Sequence, residues 1–228
     1  MNNFNKNNSD DKLINYKPVE IQTTNNIIRS ICLGESKNYI ISLMSAPRFE
    51  FLDNGLCNSF FPLEHIIVRC VFDKNDVLIG YFITAKEENT SIEIYDPIDE
   101  DKRLVFGQDT YDTFSYADSI KEGSIANGGL AQANTYYWEY TYLCGTGKYQ
   151  NYVVADFPYG FGEAGAISIM GAGENPSKYA DLLESYRKTF HPNTYGIVDP
   201  KYMDMIKPYI QDRDLEVLWV SCVDNLCN

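Results

Sequence analysis

Apolar residues recur along residues 34–84 in two different rhythms. Tyr39, Ile40, Leu43 and Met44 fall at i, i+1, i+4 and i+5, which aligns them on one stripe of a helix. Glu35 and Ser36 precede them with side-chain oxygens suited to the orphan N–H groups of a first turn. Pro47 drives Ala46 out of the α region, so the helix ends there. Arg48-Phe49-Glu50-Phe51 then predicts a short extended run ahead of an Asp53-Asn54-Gly55 turn. After that the period shortens to two. Ile66, Val68, Cys70 and Phe72 alternate with their neighbours, Asp73-Lys74-Asn75-Asp76 interrupts, and Val77, Ile79, Tyr81 and Ile83 alternate again. Two adjacent antiparallel strands joined by a polar turn follow from this pattern.

The same order of elements returns further along. Ser91-Ile92-Glu93-Ile94-Tyr95 alternates and stops at Asp96-Pro97, and the charged stretch Asp99-Glu100-Asp101-Lys102-Arg103 reads as a module boundary. Residues 116–121 suit a short helix and residues 123–129 a loop. Residues 135–143 and 149–157 form two β-rich runs around Cys144-Gly145-Thr146-Gly147-Lys148, a second hairpin. A clearer helix begins at Asn175-Pro176, with Tyr179, Leu182, Leu183, Tyr186 and Phe190 on one face, and is terminated by His191-Pro192-Asn193. Residues 195–198 read as extended. Asp199-Pro200 opens a further short helix with Tyr202, Met205, Ile206 and Tyr209 inward, and residues 215–223 read as a last strand.

Hairpins alternating with helices in this way predict an α+β fold, an antiparallel sheet with helices on one face. The helix-then-hairpin order occurs twice. This divides the chain into a disordered tail over 1–17, a first module over 18–98 and a second over 104–228, with one continuous domain as the alternative. The tail expectation rests on composition, since Asn, Asp, Ser and Lys dominate those residues and leave few apolar groups to offset the entropy of ordering.

The 228 residues are 44% hydrophobic and 14% aromatic, enough for a substantial core. A formal net charge of -13 repels phosphate backbones and anionic lipid, which disfavours nucleic acid as a partner. No apolar run reaches the roughly 18 residues of a membrane span, and the N-terminus lacks a basic segment leading into an apolar one, so direct membrane insertion is not expected. These features predict a cytoplasmic protein; the soluble domain of an exported or membrane-associated parent is the alternative. The six cysteines (Cys32, Cys57, Cys70, Cys144, Cys222, Cys227) are scattered, several within apolar runs, and read as buried free thiols in a chain without an export signal. Their spacings complete no tetrahedral metal site.

Candidate chemistry is sparse. Gly160-Phe161-Gly162-Glu163-Ala164-Gly165 matches a dinucleotide fingerprint, but Pro158 interrupts the preceding strand, and Gly171 and Gly173 follow too soon for a long helix. Gly145-Thr146-Gly147-Lys148 lacks the first glycine and the metal-binding hydroxyl of a phosphate loop, and reads as a hairpin turn. In Asp73-Lys74-Asn75-Asp76 a calcium site would need a third ligand where Val77 stands and a glycine where Leu78 stands. Acids Asp96, Asp99, Glu100 and Asp101 read as a solvated charge run. His65 and His191 are the only histidines, and no local signature couples either to Cys144 as base and nucleophile. No cofactor or metal is expected, and the residues favour a non-catalytic role.

What remains is aromatic. Tyr136, Trp138, Tyr140 and Tyr142 share one face of a predicted strand, and Tyr149 and Tyr152 lie on the next. Rings on a sheet serve either as core or as a recognition surface, because each gives a large contact area at small entropy cost. Read as a surface, they fit another protein or a peptide.

Residues 34–47, then Val68 to Phe72, Asp73, Val77 and the Gly80-Tyr81-Phe82-Ile83-Thr84 strand, resemble the helix–proline–hairpin pattern of small bacterial envelope domains. The resemblance is to the SmpA/OmlA lipoprotein type, related in architecture to the tandem domains of β-lactamase-inhibitor protein. Residues 187–195, with Pro192-Asn193-Thr194-Tyr195, are similar to the C-terminal part of bacterial proteins in which such a domain follows a membrane anchor. The resemblance implies a non-enzymatic protein-binding module, and the chain departs from it in lacking a lipobox. Three functions remain open: that module, a small-molecule binder or small enzyme using the glycine-rich loops at 160–173, and an acidic protein that neutralises a basic partner.

Overall fold

The computed structural model describes residues 24–86, 88–93, 103–114, 120–128, 134–144, 149–155 and 176–206. For residues 114, 120–128, 134–144, 149–155, 176–180 and 182–183 it describes the backbone alone. The 1–17 tail, the 96–101 acids, the glycine-rich loops at 160–173 and the 215–223 strand lie outside the described residues.

Two short helices, α1 (Thr24–Ser30) and α2 (Lys37–Met44), lead into a meander of β1 (Phe49–Asp53), β2 (Leu56–Pro62), β3 (Ile66–Phe72) and β4 (Leu78–Ala85). Next come β5 (Ser91–Glu93) and β6 (Arg103–Val105), paired with each other, then the one-turn helix α3 (Tyr111–Phe114). A second meander of β7 (Ile120–Gly128), β8 (Asn134–Cys144) and β9 (Tyr149–Ala155) precedes helix α4 (Pro176–Thr189), strand β10 (Thr194–Val198) and a 3-10 turn at Pro200–Tyr202. The fold is α+β. Among the described residues all large-sheet pairings are antiparallel and give one sheet of eight strands in the order β1-β2-β3-β4-β10-β9-β8-β7. Because β10 pairs with β4 on one side and β9 on the other, the stretches 18–98 and 104–228 contribute strands to a single sheet.

Local chemistry explains the first half. Ser36 caps α2 by accepting from the Tyr39 N–H at 3.2 Å. Ile40 and Met44 face inward as their spacing predicts, whereas Tyr39, counted on the same stripe, is 39% exposed because it sits at the stripe's edge. Backbone bonds from Gly34 N–H to the Leu78 carbonyl and from Leu78 N–H to the Glu35 carbonyl, both 2.8 Å, pin the α1–α2 connection against the start of β4. Asn54 (φ 50) and Gly55 (φ 78) both adopt left-handed backbone, the requirement of the tight turn that joins β1 to β2. In the β3–β4 turn, the Asp73 carboxylate accepts from the Asn75 and Val77 N–H groups at 2.8 and 3.0 Å.

One sheet face carries the main core. Ile66, Val68, Cys70 and Phe72 of β3, Tyr81, Ile83 and Ala85 of β4, and Tyr195 and Ile197 of β10 pack there beneath Ile27, Ile28, Ile40, Met44 and Tyr186 of the helices. Ile92, Leu104 and Phe106 from the β5–β6 region close the same cluster. Phe190 stacks on Tyr186 with ring centroids 4.5 Å apart. The opposite face holds a second, smaller cluster of Leu56, Val71, Ile79, Phe82, Val198 and Ile206.

Some elements depart from the sequence pattern. A bulge lies between the pairs Val71↔Gly80 and Phe72↔Leu78, so Ile79 turns to the second face while Leu78 joins the first. Strict alternation from Val77 would have put Ile79 with Tyr81. Residues 120–128 form strand β7 rather than a helix end and a loop, since pairing with β8 outweighs the low strand propensity of Gly123 and Gly128. Beyond Asp199, which caps the turn by accepting from Lys201 N–H at 2.9 Å, Ile206 is buried, but Met205 is 41% exposed. Both positions lie past the 3-10 turn, where the Met205 and Ile206 N–H groups each donate to the Tyr202 carbonyl at 2.9 Å and one side chain turns inward while the other turns out.

Candidate functional site

The aromatic positions lie in the outer half of the sheet. Tyr136, Trp138, Tyr140 and Tyr142 occupy alternate positions of β8, between β7 and β9. Tyr149 pairs with Cys144, in step with those four, whereas Tyr152 pairs with Thr141 and falls on the alternate positions. The six side chains are outside the described residues; their register is defined by backbone.

That register continues across the whole sheet. A line of directly opposed residues runs Phe49, Phe60, Arg69, Phe82, Gly196, Val153, Tyr140 and Glu122 through all eight strands. The Tyr140 position is thus in line with Phe82, a residue of the second cluster, on the face away from the helices. A parallel line joins Ile67, Thr84, Thr194, Ala155 and Trp138.

Where side chains are described, these lines are polar as well as aromatic. The Arg69 guanidinium stacks over the Phe82 ring at 4.9 Å from its centroid and donates from Nε to Asn58 Oδ1 at 2.9 Å. Burial lowers the Arg69 pKa to about 10, against the opposing pull of the Asp53 charge. Thr84 and Thr194 share a hydroxyl contact of 3.0 Å, and Thr194 also donates to Asn193 Oδ1 at 2.9 Å. At the β1 end, Phe51 and Phe60 stack with centroids 5.9 Å apart. A buried, satisfied cation and hydroxyl pair make this face more specific in its packing than an all-apolar one.

A second constellation sits on the helix-covered face, where α2 begins. Lys37 Nζ lies 2.8 Å from Glu50 Oε1 and 3.5 Å from Cys57 Sγ, with Ser59 bonded to Glu50 and its Oγ 3.7 Å from Cys57 Sγ. Desolvation pulls the Lys37 pKa down, but the hydrogen bond and charge of Glu50, with Cys57, outweigh it and leave the ammonium raised. Sequence spacing gave no hint of this group, because its members come from α2, β1 and β2 and meet only through strand pairing.

The two histidines go elsewhere. His191 Nδ1 is 3.1 Å from the Asp109 carbonyl, which ties the end of α4 to the segment before α3. His65 borders a shallow cavity of about 360 Å³ between the start of α1 and the β4–β5 turn, with Asn25, Glu88 and Asn89 among its walls. Cys70 is fully buried, and burial pushes its thiol above its ordinary range. Among the described residues no three His, Cys, Asp or Glu side chains gather closely enough to hold a metal ion, and no helix is long and apolar enough to cross a membrane.

No protein-family model matches the chain, and no curated protein matches it. Among solved structures it is similar to an extracellular protein containing a SCP domain from Bacillus anthracis str. Ames, with a TM-score of 0.42 and 7% identity. The match covers 87% of this chain and 53% of that one, so the chain spans about half the length of that structure.

Proposed function

We propose that the protein is a non-catalytic binding module for another protein or a peptide, with the β8–β9 aromatic positions as its contact surface. The observation that carries this reading is the sheet register. Helices pack on one face, and the positions of Trp138, Tyr140 and Tyr142 fall in line with the other, near the β7 edge. Tyrosine and tryptophan in the middle of a sheet face are the residue types that dominate binding energy at protein contacts. The resemblance to SmpA/OmlA-type domains points the same way. Cytoplasmic residence is part of the proposal, supported by the free thiols Cys32, Cys57 and Cys70.

The test is affinity purification from native cells with mass spectrometry, comparing the wild-type chain with Trp138→Ala and Tyr140→Ala variants whose circular dichroism matches it. A partner enriched by the wild type and lost from both variants supports the reading. A partner retained unchanged by both would sink the aromatic surface, and a complex that weakens steeply with salt would instead favour neutralisation of a basic partner.

A further inference from the structure

Lys37 and Cys57 have a relationship that binding through β8 does not use. Lys37 is the first residue of α2, and its side chain is 18% exposed, laid over the Phe72 ring at 5.7 Å. Its ammonium therefore has few alternatives to the Glu50 carboxylate at 2.8 Å and the Cys57 sulfur at 3.5 Å. Cys57, on β2, is half-buried, where Cys70 on the neighbouring strand is fully buried. A thiol, an amine and a carboxylate thus stand within one contact shell, held by a helix start and two paired strands.

We propose that Lys37 and Cys57 form a modification site, joined by a Cys57 Sγ–Lys37 Nζ bond when the protein meets hydrogen peroxide. Peroxide transfers one oxygen to Cys57 Sγ, which is oxidised to sulfenic acid as the peroxide is reduced to water. Lys37 Nζ gives up one proton to solvent, and the freed amine lone pair attacks Sγ. The S–N bond forms as the S–O bond breaks, and the departing hydroxide takes up one of the two protons still on nitrogen to leave as a second water. The linked pair is a sulfenamide, two hydrogens lighter than the free thiol and amine. A thiol reductant reverses it, attacking sulfur and returning the amine, with its own disulfide as the oxidised product. The bond staples the start of α2 to β2 and removes the Lys37 charge from beside Glu50.

The test treats the full chain with hydrogen peroxide, digests it and maps the peptides by mass spectrometry, with dimedone as a trap for sulfenic acid. The expected result is a peptide containing Lys37 linked to one containing Cys57, two hydrogens lighter than their sum and abolished by dithiothreitol. In Lys37→Arg, Cys57 should be captured by dimedone instead, at several times the wild-type yield. Cys57 carrying dimedone or sulfinic acid in the wild type, with its Lys37 peptide unmodified, would overturn the proposal. If Lys37→Arg does not fold, the wild-type digest decides alone.

Discussion

The ring of Phe82 occupies the space that a β-carbon on Gly196 would need. Such an atom would stand 2.5 Å from Phe82 Cδ1 and 2.7 Å from the Tyr81 carbonyl oxygen, closer than carbon atoms approach. The two residues face each other across β4 and β10, so the missing side chain is what allows the ring to lie over the central strand pair. Gly196→Ala is expected to lower stability by about 1–3 kcal/mol, the range for overpacked cores. Phe82→Leu in that background should recover part of the loss. Urea denaturation measures both, and an unchanged midpoint for Gly196→Ala would show that the ring is not held there.

On the other side of the same ring, Arg69 depends on Asn58. Asn58→Ala removes the acceptor of Arg69 Nε inside a buried layer, at an expected cost of about 1.5–3 kcal/mol. Arg69→Met removes the buried cation, and in combination with Asn58→Ala the effects should be strongly non-additive, because the second change deletes the group that the first left unsatisfied. A double-mutant cycle with a coupling energy near zero would contradict the interaction.

Ser36→Ala should cost about 1 kcal/mol through the lost cap on α2, whereas Ser36→Asp should hold stability close to the wild type. Thermal unfolding of the three proteins distinguishes a cap from a solvent-facing serine.

Asp73 sets a pH dependence. Its carboxylate is held below the usual range, first by the Val77 N–H, then by the Asn75 backbone and side chain and by Lys74. A depressed folded-state pKa contributes stability that is present above the ordinary aspartate value, about 3.9, and is lost as pH falls through the lower folded value. The stability difference between wild type and Asp73→Ala should therefore be full at neutral pH and shrink below about pH 4. A difference that is constant down to pH 2 would argue that the charge of Asp73 plays no part in the turn.

Strand β3 was legible in the sequence because Ile66, Val68, Cys70 and Phe72 alternate without interruption, and α2 because its cap, stripe and proline stop agree. Strand β2 was not. Asn58 and Ser59 lie at buried positions in it, where one meets Arg69 and the other Glu50, so polar residues occupy sites that a hydrophobic pattern expects to be apolar. Helix α1 escaped for a related reason, since Ile27 and Ile28 alone anchor it beneath polar neighbours. The aromatic spacing on β8 was plain, but the separation of Tyr152 from Tyr140 depends on the register of the β8–β9 hairpin, and the alignment with Phe82 on β10 pairings between residues more than forty positions apart. The Lys37–Glu50–Cys57 group is of the same kind: three elements bring it together, and no local period records it.

Strand β10 occupies the middle of the sheet and is the last of the described strands to leave the ribosome. Until residues 194–198 emerge, β4 and β9 each lack the strand that pairs between them, and among the described residues the two meanders are joined only through β10. Completion of the sheet is then a single late event that closes both edges at once, and a chain cut short before Thr194 would carry two exposed strand edges prone to pairing with other molecules.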